Sequence, residues 1–233
     1  MMRRVLVFLA VAGLAAALLP LALGTGVPEA PGALATAYLE DAPGDFGAAN
    51  VVTAIVVSYR GFDTLGEVAV LFAATAGVGA LLTRKRLGIG DAEPADKPAA
   101  TEILVTATGL LTGLLVMFGV YIFLHGHLTP GGGFQGGVVI ATALLLGLLA
   151  RPESRLPHGI MAAVESLSGA AYVGMGLLGA FLAWGFLDPR ALPLGRVGSL
   201  VSAGSIPVIY SLIGLKVGAE LSGILDALKG DRE

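Results

Sequence analysis

The chain has 233 residues, of which 55% are apolar and 13% charged, with 35 glycines, no cysteine and a net charge of −3. A soluble domain of this length needs about twice that share of charge to cover its surface, and the slight acidity argues against a nucleic-acid partner. Without cysteine the chain itself holds no disulfide, thiolate nucleophile, Cys-ligated zinc or iron–sulfur cluster. An all-α integral membrane protein is the class that remains.

A bilayer core of about 30 Å takes roughly 20 helical residues. The first apolar run, Val5–Leu23, follows Met1-Met2-Arg3-Arg4 and lacks a convincing small-residue cleavage site, so it reads as a retained first helix. An acidic segment with Glu29, Glu40, Asp41 and Asp45 comes next, then NVVTAIVVSYRGFDTLGE over 50–67. The apolar stretch Ala48–Tyr59 is too short to span and suits a re-entrant or interfacial half-helix.

The second run, Val68–Thr83, has 16 residues between Glu67 and the Arg84 cluster. That is about 24 Å of helix, so the helix is expected to start earlier and carry Glu67 into the membrane. Asp63 lies one turn before Glu67 on the same face, and Arg60 is near enough to neutralise either carboxylate. A carboxylate at membrane depth commonly marks an ion or proton path. A charged stretch with two prolines, 84–100, then divides the chain into a two-helix module over 1–83 and a four-helix domain over 101–233.

The third run, Ile103–Leu124, opens with Glu102, placed where a helix dipole favours a carboxylate. His125–Gly137, HGHLTPGGGFQGG, joins it to the short fourth run, Phe134–Ala150. Pro130 followed by Gly131, Gly132 and Gly133 cannot continue a helix, and backbone broken at that depth must be covered by protein or line a wet cavity. The G-x-G-x-x-G match within it follows a membrane helix rather than a strand, so it is no dinucleotide fingerprint. His125 and His127 can titrate near neutral pH and relay protons, whereas two histidines make a poor metal site; no metal and no cofactor are expected.

The fifth run is Leu167–Leu187, with Trp184 as an interfacial aromatic and Glu165 placed in the opening turns. The sixth is Gly198–Leu215. Counting from Gly198 sets Lys216 near the end of that span, where lysine can snorkel, with Glu220 one turn further on; a later start or a kink at Pro207 makes the pair intramembrane. Small residues four apart, at Gly109/Gly113, Gly132/Gly136 and Gly214/Gly218, suit close helix packing. No internal repeat is visible, which speaks against an inverted-repeat transporter folded from one chain.

Two motifs carry a family resemblance. Arg60-Gly61-Phe62-Asp63-Thr64-Leu65-Gly66-Glu67, after Asn50-Val51-Val52, resembles the carboxy-terminal segment of the large A-type subunit of Mrp-type multisubunit cation/proton antiporters, a module that also stands alone as the E-type subunit of membrane-bound hydrogenases. His125-Gly126-His127 with Pro130, Gly131, Gly132, Gly133, Phe134, Gly136 and Gly137 resembles the signature of the MnhB domain, the B-type subunit of those antiporters, and Gly214-Leu215-Lys216-Val217 is similar to its last helix. Ser58 stands where the A-type segment commonly has Asp, which leaves Asp63 or Glu67 as the partner of Arg60.

The resemblance implies a subunit of a large complex in the cell membrane, working with other membrane subunits. It implies exchange of Na⁺ for protons by the assembly, with Glu67 on an acid/base path and the Pro-Gly segment near the cation route. No enzymatic reaction is expected of the chain itself. The residues read as an ion or proton pathway are Glu67, Asp63, Arg60, His125, His127, Lys216 and Glu220. The first alternative is the equivalent subunit of an energy-converting redox complex such as a hydrogenase; the second is an inert scaffold that only packs helices.

Ten basic residues fall on one side of six alternating spans, against Arg60, Arg190 and Arg196 on the other. The positive-inside rule then sets both termini and the 84–100 segment in the cytoplasm. Single cysteines replacing Asp45 and Asp91 should therefore react with an impermeant thiol reagent from opposite sides of the membrane; reaction of both from outside would overturn the six-span topology.

Overall fold

The computed structural model describes residues 2–24, 30–86, 100–151 and 153–229. Glu29, Asp91, Lys97 and Arg232 lie outside them. The described residues are helical with no strand, apart from one isolated bridge between Gly195 and Ser202. Six helices are long and apolar enough to cross a membrane: Arg4–Gly24, Gly61–Leu82, Glu102–Leu124, Gly133–Ala150, His158–Leu182 and Ile206–Leu228.

The chain falls into two compact units, Met1–Ala37 and Tyr38–Glu233. The first holds α1 (Met2–Gly24) and the start of α2 (Ala33–Phe46). In the second, the half-helix expected between 48 and 59 is present as α3 (Val51–Ala54), which widens into a π-helical turn over Ile55–Tyr59. Asn50 caps it, its side-chain oxygen accepting from Val52 N at 3.1 Å. The long helix α4 (Gly61–Arg86) follows, so the second span does begin ahead of Glu67.

Four more helices complete this unit: α5 (Glu102–Leu124), α6 (Gly133–Ala150), α7 (His158–Leu182) and α8 (Ile206–Leu228). α5 is capped by Thr101, whose hydroxyl accepts from Leu104 N. α8 is the axis of the unit, touching α4, α5, α6 and α7. Its inward face includes Ile209, Tyr210, Ile213 and Val217, all buried.

The last two spans differ from the sequence expectation. The fifth starts at His158, nine residues before Leu167, and ends at Leu182 (158 against 167). The sixth starts at Ile206 rather than Gly198, because residues 183–205 form a built loop. Asp188 anchors that loop, receiving hydrogen bonds from Arg190 Nε at 2.8 Å and Nη2 at 2.6 Å and from Trp184 N at 3.3 Å. Pro207 sits in the first turn of α8, where its missing N–H costs no helical bond, so it starts the helix instead of kinking it.

Glycine sets the distance between α6 and its neighbours. A Cβ on Gly136 would lie 2.5 Å from Gly119 O of α5, and one on Gly137 would lie 2.8 Å from Gly214 O of α8. Both are backbone contacts that no rotamer change relieves. Gly113 has open space around it, so the Gly109/Gly113 pair serves no comparable contact within the chain.

Gly137→Val should therefore separate α6 from α8, at a cost of about 1–3 kcal/mol or more for overpacking. Gln135→Ala should be mild. Thermal stability of the purified assembly checks this, and equal tolerance of the two changes would count against backbone contact as the role of these glycines.

Candidate functional site

Two sets of polar side chains are built into the second unit. The first joins the two motifs. Asn50 Nδ2 donates to Gly126 O at 2.9 Å and Thr129 O at 3.0 Å, and Asn50 N donates to His127 O at 3.0 Å. Thr53 Oγ1 donates to Gly126 O at 2.6 Å and accepts from Tyr210 Oη of α8 at 3.1 Å. The segment before α4 is thus clamped onto the Pro-Gly loop, and the loop onto α8. Carbonyls freed by the broken backbone, those of buried Gly126 and His127 among them, find their donors here.

The loop's two histidines part company. His125 is half-buried, stacked on Tyr121 with ring centroids 4.1 Å apart, and its Nδ1 lies 3.1 Å from Tyr121 O. His127 is fully buried, and neither ring nitrogen has a hydrogen-bond partner within 3.5 Å among the described residues. Burial pushes the His127 pKa below its ordinary 6.5, with backbone groups of Ser199 and Leu200 pulling the other way. The geometry does not show a direct His125–His127 relay.

Arg60 pairs with Asp63, and both side chains are more than half exposed. Of the two candidates for Arg60, the structure selects Asp63. Glu67 lies on an exposed face of α4, whereas the Tyr172 hydroxyl of α7 is buried and has no hydrogen-bond partner among the described residues. Just ahead of α4, Tyr59 donates from its hydroxyl to Asp45 at 2.7 Å. Burial and that carboxylate raise its pKa to about 12.

The second set lies within the membrane span. Because α8 begins at Ile206, Lys216 is its eleventh residue of 23, at the middle and not the end. Lys216 Nζ donates to Glu220 Oε1 at 2.6 Å and stands 3.8 Å from Glu165 Oε1 of α7. Its stem passes Gly169, where a Cβ would meet Lys216 Cδ at 3.4 Å, and its ammonium lies 5.2 Å from the centre of the Phe72 ring of α4. Lys216 and Glu220 are buried, and Glu220 Oε2 has no hydrogen-bond partner among the described residues.

Two carboxylates thus share one ammonium inside the bundle. Hydropathy alone puts Glu165 at a helix start; with α7 beginning at His158 it stands two turns in. Sequence reasoning misses Asp226 altogether. It is fully buried, and among the described residues it pairs with His158, whose Nε2 lies 3.5 Å from Oδ2. The spacing of His158, Glu165 and Tyr172 by sevens is the available signal, since seven residues return to one helix face. No group of three or more metal-ligating side chains occurs among the described residues.

Residues 103–223 match the family described as "Domain related to MnhB subunit of Na+/H+ antiporter". The chain belongs to this family. Residues 1–97 match a second family, MbhE, the E-type subunit of MBH. A Rhizobium meliloti protein, named as a probable K(+)/H(+) antiporter A/B-type subunit, is 30% identical over 78% of this chain, which spans 20% of that protein's length. An uncharacterized protein of Methanocaldococcus jannaschii is 30% identical over 74% of each chain.

Among solved structures, a chain of an archaeal respiratory complex, the membrane-bound sulfane sulfur reductase, is 41% identical, with TM-score 0.80 and full coverage of both chains. A chain of the Mrp complex from Dietzia sp. DQ12-45-1b is 27% identical, with TM-score 0.78; 99% of this chain covers 26% of that one. The MnhB-type chain is accordingly a multi-pass membrane protein whose structural relatives are parts of multisubunit complexes.

Acidification should weaken the Pro-Gly loop through His127. Its folded pKa is lowered from 6.5, so below that value the unfolded chain takes up the proton more readily, and stability falls as pH drops through 6.5 towards the folded value. The melting midpoint of the purified assembly should fall over that range, and less so in His127→Asn. Identical pH dependence in the two proteins would exclude His127 as the cause.

Proposed function

We propose that this chain is a membrane subunit of a multisubunit monovalent cation/proton antiporter of the cell membrane, lining part of the ion pathway. The observation that carries this reading is the Glu165–Lys216–Glu220 cluster, two carboxylates around one ammonium at the middle of a membrane-spanning helix. A packing helix has no use for such groups, since burying ions without full pairing costs several kcal/mol (about 3–5 when one partner is missing).

Residues 1–83 act as the A-type module and 101–233 as the MnhB-type domain, with 84–100 as a cytoplasmic link and both termini inside. Glu67 supplies a protonatable group at the face of α4 that meets other subunits. Asp63 and Arg60 form an exposed pair beside it, and His125 and His127 border the Pro-Gly loop. The transported ions are Na⁺ and H⁺, and the chain carries out no chemical reaction of its own. The Rhizobium relative's name gives K⁺, so both cations belong in the assay.

A second reading is supported by the full-length likeness to the sulfane sulfur reductase chain: the same subunit serving a redox-driven complex. Affinity purification through a tag on this chain separates the two. Antiporter-type membrane subunits alone favour the first reading, and redox-cluster subunits favour the second. Within either assembly, Glu67→Gln and Glu220→Gln should each lower cation-dependent proton exchange in vesicles by about tenfold or more, with assembly intact. Glu67→Asp should retain part of it. Full exchange in both Gln variants would reduce the chain to a scaffold.

A further inference from the structure

We propose that His158 and Asp226 form the surface mouth of a proton route that leads to the Glu165–Lys216–Glu220 cluster; this deepens the reading above and rests on it. Asp226 is fully buried in the last turn of α8, and neither carboxylate oxygen has a hydrogen-bond partner among the described residues. The C-terminal end of a helix is where its dipole opposes negative charge, and a buried carboxylate without donors is costly. Ser222, one turn before, gives its hydroxyl to Gly218 O, and Lys229, just after, donates from Nζ to the carbonyls of Arg151 and Ser154. As a packing residue Asp226 is a poor choice.

What Asp226 does have is His158 Nε2 at 3.5 Å, on a side chain that is 70% exposed. One imidazole thus touches water on one side and a sealed carboxylate on the other. Inward from that pair, both helices continue with ionisable groups. On α7, Glu165 follows His158 by seven residues, about 10.5 Å along the same face. On α8, Glu220 precedes Asp226 by six residues, about 9 Å along the axis. A proton crosses gaps of this size only where water enters between the groups, and the proposed route requires it there.

The step balances within the pair. An imidazolium passes the proton on Nε2 to Asp226 Oδ2 and becomes neutral imidazole, which takes its next proton from bulk water. Asp226 then passes its proton inward, over intervening water, to the second carboxylate oxygen of Glu220 and returns to carboxylate. The mouth opens at the face formed by the start of α7 and the end of α8.

The test uses the whole complex in vesicles, with radioactive sodium uptake driven by a pH gradient and assembly checked by co-purification. Asp226→Asn should lower uptake by about tenfold or more, and Asp226→Glu should keep part of it. His158→Ala should lower it several-fold and recover when an impermeant zwitterionic buffer is raised from millimolar to tens of millimolar, because buffer can then reach Asp226. A purely structural His158 would show no such rescue.

Full uptake in Asp226→Asn while Glu220→Gln is inactive overturns the route and leaves the antiporter reading standing. A wild-type complex without exchange of either cation overturns the antiporter reading. Infrared difference spectra between acid and alkaline pH then decide the route: a carboxyl band lost in Asp226→Asn, with its midpoint moved in His158→Ala, supports it. No difference between wild type and Asp226→Asn overturns it.

Discussion

Backbone touches backbone where α6 enters the bundle, and the remaining polar architecture depends on that contact. With no side chain at Gly136 or Gly137, α6 lies directly against the carbonyls of Gly119 and Gly214. In a bilayer, helices gain little from apolar burial, so close van der Waals approach is a main source of their association. α8 is thereby held at the axis, and every ionisable side chain on its inner face is held with it. The Pro-Gly loop ahead of α6 also comes within reach of Tyr210, so the clamp through Thr53 and Asn50 closes on the same helix.

The interior charges depend on that frame. The stem of Lys216 runs past Gly169 on its way to Glu165, at a distance a Cβ would just touch, between α7 and α8. Phe72 of α4 closes the third side with an aromatic face toward the ammonium, a contact worth about 0.5–2 kcal/mol when desolvated. Three helices therefore converge on one lysine, and one of them comes from the module before the 84–100 segment. The proposed ion pathway belongs to neither family domain alone.

Much of this is legible in the sequence. Composition sets the class, and the run lengths place three of six spans, the first, third and fourth, within a few residues. The 16-residue count after Glu67 gives the early start of α4, and the twelve-residue, mostly apolar stretch Ala48–Tyr59 the half-helix. What escapes is local chemistry that hydropathy does not weigh. Residues 198–205 are apolar enough to read as helix, yet Asp188 and its hydrogen bonds from Arg190 and Trp184 fold the preceding chain into a loop that carries them outside α8. That eight-residue displacement moves Lys216 from the rim to the centre. At the other end, Pro157 and His158 look like loop residues, so Glu165 reads as a boundary residue instead of one inside the span. Asp226 and His158, 68 positions apart (226 − 158), share no local pattern.

The π-helical turn over Ile55–Tyr59 is, in effect, a single residue inserted into a helix. Arg60 N reaches back five residues to Ile55 O, and Thr64 Oγ1 donates to Val56 O at 2.5 Å. An ordinary α-helical turn would use one residue fewer, and each residue turns a helix by about 100°. Asn50 is tied to the Pro-Gly loop at one end of this segment, while α4 is tied to α8 at the other. The extra residue thus acts as an angular spacer, and it decides which way Glu67 faces around α4. A chain lacking that residue would keep every side chain named here and still point its membrane carboxylate at a different neighbour.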